Sequence, residues 1–347
     1  MNCAEPTDFC FSFSGFRLRG GLCDKHSDGW GLAIYEGRGV RLFLDDLPAA
    51  ESPLAELVSR YPIKTLNMMA HIRYATMGRV CLENVHPFQR EMWGIIWVFS
   101  HNGDVPKFSP SSNHPHVLGK VDNLTFRPVG DTDSESIFCA ILNHLNTEFD
   151  SPPILPVLYD AIQRICKEII EGEEQESIFN FLLGCGQYTL FAYSWPGSRP
   201  GSDVWNGLYY TIRQPPFTTA KLADIDFSMD FSTVTTSTDR VAVIATKPLT
   251  CNESWIEIKR GELIMFDRGL PFTKSTDVER VEQEGRGLRK SGCVGRGVGT
   301  KSCISSNSDP LLNGRVIQKN EIMIPHGIDK FDNMRVGYVQ ENPTAGH

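Results

Sequence analysis

The chain has no Cys-x-x-Cys pair, although its 347 residues include 10 cysteines scattered from Cys3 to Cys303. That spacing excludes the thiolate clusters that hold structural zinc, and no metal or other cofactor is expected. Disulfide frameworks belong to short secreted chains, so free thiols in a reducing cytosol are the simpler reading. No apolar run approaches the roughly 20 residues needed to cross a bilayer. The opening segment lacks a basic stretch followed by an apolar one, so no secretory signal is read. A cytoplasmic protein with no membrane partner is expected. Positive charge is also in short supply: 34 Lys and Arg against 42 Asp and Glu give a formal net charge of -8. Gripping a phosphate backbone needs clustered basic residues, so nucleic acid is not expected as a partner.

Residues 1–272 hold all six tryptophans and read as one globular domain. Residues 31–44 form a hairpin pattern around Glu36-Gly37-Arg38-Gly39. Ser52-Pro53 opens a short helix to Tyr61, and 64–73 is a strand. Thr132 and Glu135 have capping-box spacing ahead of Ile137, Phe138, Ile141, Leu142 and Leu145, which predicts a helix. A second helix over 157–170 carries Leu158, Ile162, Ile165 and Ile169 on one face. Strands are predicted at 187–193, 207–212, 241–246 and 255–266. Strands, two helices, then more strands predict an α+β layered domain. The polar loop 107–128 is expected to cross the surface. Residues 273–347 mix charge with glycine, as in Gly285-Arg286-Gly287 and Gly295-Arg296-Gly297. Such low-complexity sequence buries too little apolar surface to offset its ordering entropy, and a disordered tail is predicted there. Within it, Ile322-Met323-Ile324 and Val336-Gly337-Tyr338-Val339 are candidate docking pieces.

Four clusters carry candidate chemistry. In His71-Ile72-Arg73-Tyr74-Ala75-Thr76, a guanidinium at a strand end could grip a carboxylate bidentately while Thr76 adds a bond. Asn84-Val85-His86-Pro87-Phe88 follows. Ser100-His101-Asn102-Gly103 ends an apolar strand-like stretch. There an Asn amide and a Gly backbone N–H can converge on a developing oxyanion, and loss of one such donor slows acyl transfer about 100- to 1000-fold. Asn-Gly is equally the commonest two-residue hairpin turn. Gly130-Asp131-Thr132-Asp133-Ser134-Glu135 places carboxylates at a helix start. An Arg for an α-carboxylate and an Asp for an α-amine are what an amino-acid zwitterion requires.

In this order, and together with Pro6-Thr7-Asp8-Phe9-Cys10-Phe11-Ser12-Phe13, Arg19-Gly20-Gly21, His26-Ser27-Asp28-Gly29-Trp30-Gly31, Ala245-Thr246-Lys247-Pro248-Leu249-Thr250 and Asn252-Glu253-Ser254-Trp255, the chain resembles the class II (N-terminal-nucleophile) glutamine amidotransferases, especially their small stand-alone branch. The resemblance runs to about Phe272. It implies a four-layer αββα sandwich of two antiparallel sheets. It assigns the glutamine α-carboxylate to Arg73 with Thr76 nearby, the α-amino group to Asp133, and the oxyanion hole to Asn102 and Gly103. His26, Asp28, Trp30, His71 and His86 match a supporting shell. It implies a glutamine or γ-glutamyl small molecule as substrate and, since no synthase domain is read here, a separate synthase or peptidase subunit as partner.

The family's nucleophile is a cysteine at the start of an apolar strand upstream of the segment matching Pro6-Thr7-Asp8. Met1 lies where an internal residue of that strand would be, so domain 1–272 is expected to lack the start of its first strand and the nucleophile with it. Three readings stay open: a start lying upstream, an inactive glutamine- or γ-glutamyl-binding regulatory module, or processing that exposes Cys3. Cys3 stands only three residues before Pro6, roughly 20 Å along an extended chain from the required position.

Overall fold

The computed structural model of the chain describes residues 1–110, 118 and 124–272. The tail reading over 273–347 and most of the loop reading at 107–128 lie outside the described residues. Within them the chain begins with β1 (Asn2–Asp8) and α1 (Cys10–Leu18), then β2 (Trp30–Glu36), β3 (Gly39–Asp45) and α2 (Pro53–Ser59). It continues with β4 (Lys64–Ile72), β5 (Phe88–Met92), β6 (Ile95–Asp104), α3 (Asp133–Glu148) and α4 (Leu155–Ile170). After β7 (Ile178–Cys185) and β8 (Thr189–Trp195), further strands lie at Tyr209–Arg213, Val241–Ala245, Ile256–Glu257, Glu262–Asp267 and Leu270–Phe272.

Two antiparallel sheets dominate. One runs Ile256–Glu257, Tyr209–Arg213, Val241–Ala245, β1, β4, β2, β3; the other runs Leu270–Phe272, Glu262–Asp267, β8, β7, β6, β5. Three apolar cores mark three interfaces. Phe9 and Phe13 around α1, with Ala55 and Val58 of α2, pack on Leu32, Ile34 and Val243 of the first sheet. Ala33, Tyr35, Met69 and Ala242 meet Val98, Leu190, Ala192 and Ile264 between the sheets. Ile137, Ile141, Leu158, Ile162 and Ile165 cover Phe99, Phe181 and Leu183 on the far side. The layers are therefore helix, sheet, sheet, helix, as the resemblance implies.

Local sequence explains most boundaries. The Ser52 hydroxyl caps α2 by accepting the Ala55 N–H at 3.1 Å, with Pro53 at the first helical position. Thr132 caps α3 by accepting from the Glu135 N–H at 3.2 Å. The reciprocal half of the capping box does not form: the Glu135 carboxylate accepts the N–H groups of Val129 and Gly130 at 2.9 and 2.8 Å and pairs with Arg90 at 2.5 Å. The predicted strand over 255–266 is two strands, because Gly261 at φ +77° turns the chain between them. Loop 107–128 is anchored below the surface where described: Phe108 and Phe126 are buried, and the Asn143 side chain accepts from the Phe126 N–H at 2.9 Å and donates to its carbonyl at 2.8 Å.

Part of the motif set turns out to brace the fold. Arg213 forks onto both oxygens of Glu253 at 2.8 Å and stacks over Phe231 at 4.8 Å. Thr250 donates to Glu253 at 2.6 Å and receives the Trp255 indole N–H at 3.0 Å. Asn252 accepts from the Lys221 N–H at 2.8 Å and donates to the Thr219 carbonyl at 2.8 Å. Glu253→Ala would strand the largely buried Arg213 charge, and a loss of about 3 kcal/mol is expected in urea unfolding.

Candidate functional site

The C-terminal ends of β4 and β6 and the N-terminus of α3 open into one cavity of about 700 Å³, in the size range of small-molecule sites. Arg73, Thr76, Asn102, Gly103 and Asp133 all line it, as do His26, His71 and His86. Asp28 and Trp30 do not. Asp28 instead braces the loop after β4, accepting the Ala75 N–H at 2.8 Å while its own N–H donates to the Arg73 carbonyl at 3.1 Å. Trp30 is buried in the helix-facing core against Phe13. Thr76 is exposed and donates its hydroxyl to Asp104 at 2.7 Å, and Asp104 also pairs with Arg199 at 2.5 Å.

Arg73 is 3% exposed. One guanidinium nitrogen, Nη2, donates to the Met77 carbonyl at 3.0 Å, whereas the buried Nη1 has no partner among the described residues. A buried cation with an unused donor on a cavity wall suits an incoming carboxylate. Asp133, at the first position of α3, accepts from the Ser134 N–H at 2.8 Å and the Val105 N–H at 3.0 Å. Burial pushes its pKa above the ordinary 3.8, while neighbouring His101 pulls the other way. A carboxylate offers about four acceptor positions, so a cationic group can still be received.

Asn102-Gly103 is not a hairpin turn. Both residues sit inside β6, opposite Asn180 and Phe179 of β7, and β5 begins opposite Phe99, so among the described residues no strand pairs with the other edge of β6 from Ser100 onward. Gly103 has φ +153°, and a Cβ there would collide with the Ile178 carbonyl, so the position accepts only glycine. The Asn102 carbonyl accepts from Asn180 Nδ2 at 3.2 Å.

Burial favours the neutral form of the cavity histidines His26, His71, His86 and His101. Burial brings His71 down to about 3 and His86 well below 6.5, and their rings stack at 4.2 Å between centroids. Both ring nitrogens of His86 and Nδ1 of His71 lack partners among the described residues. His101, which the sequence reading left without a role, places Nδ1 at 2.9 Å from the Ser134 hydroxyl. Ser134 in turn contacts Asp133 at 3.3 Å. Its adjacency to Asn102 was the only signal available. The Asp104–Arg199 pair had none, since the partners are 95 residues apart. Asn84 ties the two halves of the site together: its side chain accepts the Asp131 N–H at 2.9 Å and donates to the Asp131 carboxylate and, at 3.0 Å, to the Arg79 carbonyl. That link holds the loop after β4 against the turn that presents Asp133.

Among the described residues no cysteine lines the cavity. Cys3, inside β1, is 1% exposed, and burial pushes its thiol up to about 11.

Residues 1–288 match the family described as "Glutamine amidotransferases class-II". A Haemophilus influenzae protein named "Putative glutamine amidotransferase" is 41% identical over 269 residues, covering 78% of this chain and 83% of the relative. An Escherichia coli K12 protein of the same description is 40% identical, covering 78% and 96%. A Pseudomonas aeruginosa crystal structure described as a predicted glutamine amidotransferase aligns with a TM-score of 0.53 at 37% identity, covering 71% of this chain and 87% of that one.

Proposed function

The chain belongs to the class II glutamine amidotransferases, and we propose that its cavity binds glutamine, or a γ-glutamyl amide, by its amino-acid end and presents the side-chain amide at Asn102-Gly103. Arg73 takes the α-carboxylate through its unpartnered Nη1, and Asp133 takes the α-ammonium. The single observation that carries this reading is a buried guanidinium with one unused donor nitrogen, a buried carboxylate and a glycine-only strand end lining one cavity. Thr76, held by Asp104, closes the rim beside Arg73. His71 and His86, both neutral, offer donors and acceptors without competing for the carboxylate.

In the full reaction a thiol adds to the side-chain amide carbon, the C–N bond breaks, and ammonia leaves with the thiol proton. The resulting γ-glutamyl thioester is cleaved by water to glutamate and free thiol. Asn102 and the Gly103 N–H would hold the oxyanion in both halves. With no cysteine lining the cavity among the described residues, those residues supply binding and oxyanion stabilisation. The thiol would be supplied from beyond the described residues that line the cavity, and without it the same cavity serves as a glutamine-binding module. An ammonia-consuming synthase or a peptidase subunit is the partner class this chemistry calls for, and a reducing cytoplasm suits its thiol.

Asp133 gives a pH test. Its carboxylate must be ionised to receive the ammonium, and its pKa is raised. Glutamine affinity should therefore fall on acidification at a higher pH than an ordinary aspartate would dictate. Asp133→Asn should bind weakly, with the acid-side dependence gone. Calorimetric titration between about pH 4 and pH 8 reads both. Equal affinity for wild type and Asp133→Asn across that range contradicts the ammonium role.

A further inference from the structure

A row of polar side chains crosses the second sheet beside Asn102-Gly103. Asn102 of β6, Asn180 of β7 and Ser194 of β8 stand directly opposite one another, so their side chains share one face of the sheet. Asn102 and Asn180 line the cavity, and Asn180 and Ser194 are both buried. The Asn180 amide nitrogen donates to two carbonyls, Asn102 at 3.2 Å and Asn206 at 3.1 Å. Its oxygen accepts the Ser194 hydroxyl at 2.9 Å. Two carbonyls can be served only by N–H donors, so the orientation of this amide is fixed.

The bond to Asn102 bears on the oxyanion donor. The Asn102 carbonyl and the Gly103 N–H belong to one planar trans peptide unit and point in opposite directions. Gly186 donates to the Ile96 carbonyl at 3.3 Å, and alternation by two along β6 turns the Asn102 carbonyl toward β7 as well. Asn180 grips that carbonyl from the side. The Gly103 N–H is thereby aimed away from β7, at the edge of β6 that no described strand covers.

Both neighbours of Gly103 are tied to one further element, the hairpin of Gly197–Ser198 and Trp205–Asn206. Asn102 is joined to it through Asn180 and the Asn206 carbonyl, and Asp104 pairs with Arg199 in its loop at 2.5 Å. The hairpin is itself moored, since the Trp205 indole N–H donates to Glu257 at 2.8 Å. Gly103 has no Cβ to restrict its backbone, so the anchors on either side decide where its N–H points.

We propose that Asn180 is a positioning residue of the Asn102-Gly103 corner. With Arg199 it splints that peptide to hairpin 197–206, so that the Gly103 N–H stays aimed at the side-chain carbonyl of the substrate. The identity of that carbonyl rests on the glutamine reading above, whereas the orientation of Gly103 can be followed without any ligand.

The test uses the full chain, Asn180→Ala and Asn180→Asp. The aspartate keeps the size of the side chain but turns a carboxylate toward two carbonyls and toward the adjacent Asn102 amide. Without ligand, NMR relaxation should give the Gly103 amide an order parameter of about 0.85 in the wild type and below about 0.6 in both variants, with Phe99 and Phe181 rigid throughout. Calorimetry then compares L-glutamine with L-norvaline, which keeps both amino-acid ends and has no side-chain carbonyl. The ratio of glutamine to norvaline affinity should fall about fivefold or more in both variants, the loss of one hydrogen bond, with norvaline affinity unchanged within about twofold. A merely structural role would weaken both ligands alike. Arg199→Ala frees the other anchor and should move both readouts the same way by less, which keeps the test decisive should an Asn180 variant fail to fold. A rigid Gly103 in the variants, or an unchanged ratio where glutamine binds, overturns the positioning role. If the wild type binds neither ligand while Gly103 loosens in the variants, the splint stands and the glutamine reading fails.

Discussion

Arg73→Ala should reduce affinity for glutamine between about 30- and 1000-fold, the 2–4 kcal/mol typical of removing one partner from a desolvated charge pair. Its guanidinium is 3% exposed, uses one nitrogen on the Met77 carbonyl and leaves the other unpaired on the cavity wall. Arg73→Lys separates charge from geometry: the ammonium keeps the charge but loses the fork, and about a tenfold loss is expected. Stability should respond far less, because among the described residues the only side-chain hydrogen bond lost is the one to Met77. Calorimetric titration of the three proteins, with thermal unfolding alongside, checks this. Unchanged affinity in folded Arg73→Ala would remove the carboxylate role.

Gly103→Ala should be among the most destabilising substitutions of one small residue for another in this chain. The added methyl would meet the Ile178 carbonyl, and the backbone sits at φ +153°. Ile178 cannot retreat, because β6 and β7 are paired from Trp97–Cys185 to Asp104–Ile178. Combining left-handed strain of about 1–2 kcal/mol with overpacking of about 1–3 kcal/mol gives a loss near 3 kcal/mol, or roughly 10 °C in Tm. Gly37 is the control: it has φ +59° but nothing within 4 Å of its would-be Cβ, so Gly37→Ala should cost only about 1 kcal/mol. Similar melting of the two variants would mean that the Asn102-Gly103 corner is not packed as described.

How much of this was legible depended on the range of the interactions. The hairpin at β2–β3, both helices α3 and α4, and the Ser52 and Thr132 caps are set by neighbours within a few residues, and the sequence pattern finds them. Arg73, Asp133 and Asn102-Gly103 were singled out by residue type at strand and helix ends, and the fold brings them to one cavity. Three features were not readable. The Asn-Gly pair has the local signature of a turn, and only pairing with Asn180 and Phe179 places it inside a strand. Asp28 and Trp30 share a motif with His26, yet one braces a loop and the other fills a core, because Asp28 stands in the loop before β2 and accepts the Ala75 N–H, whereas Trp30 begins β2 and packs on Phe13. The Asn252-Glu253-Ser254-Trp255 motif looks like part of the site, but Glu253 serves Arg213, a partner 40 residues away. Residue type marks where chemistry is available; long-range pairing decides whether it faces a cavity.

The most direct measurement is a calorimetric comparison of L-glutamine with two analogues, 4-aminobutanamide lacking the carboxylate and glutaramic acid lacking the amine. Binding of glutamine, with each analogue weaker by about tenfold or more, is the predicted result, since each removes the partner of one buried charge. Equal binding of all three, or of none, would contradict the assignment of Arg73 and Asp133 to the two ends of an amino acid.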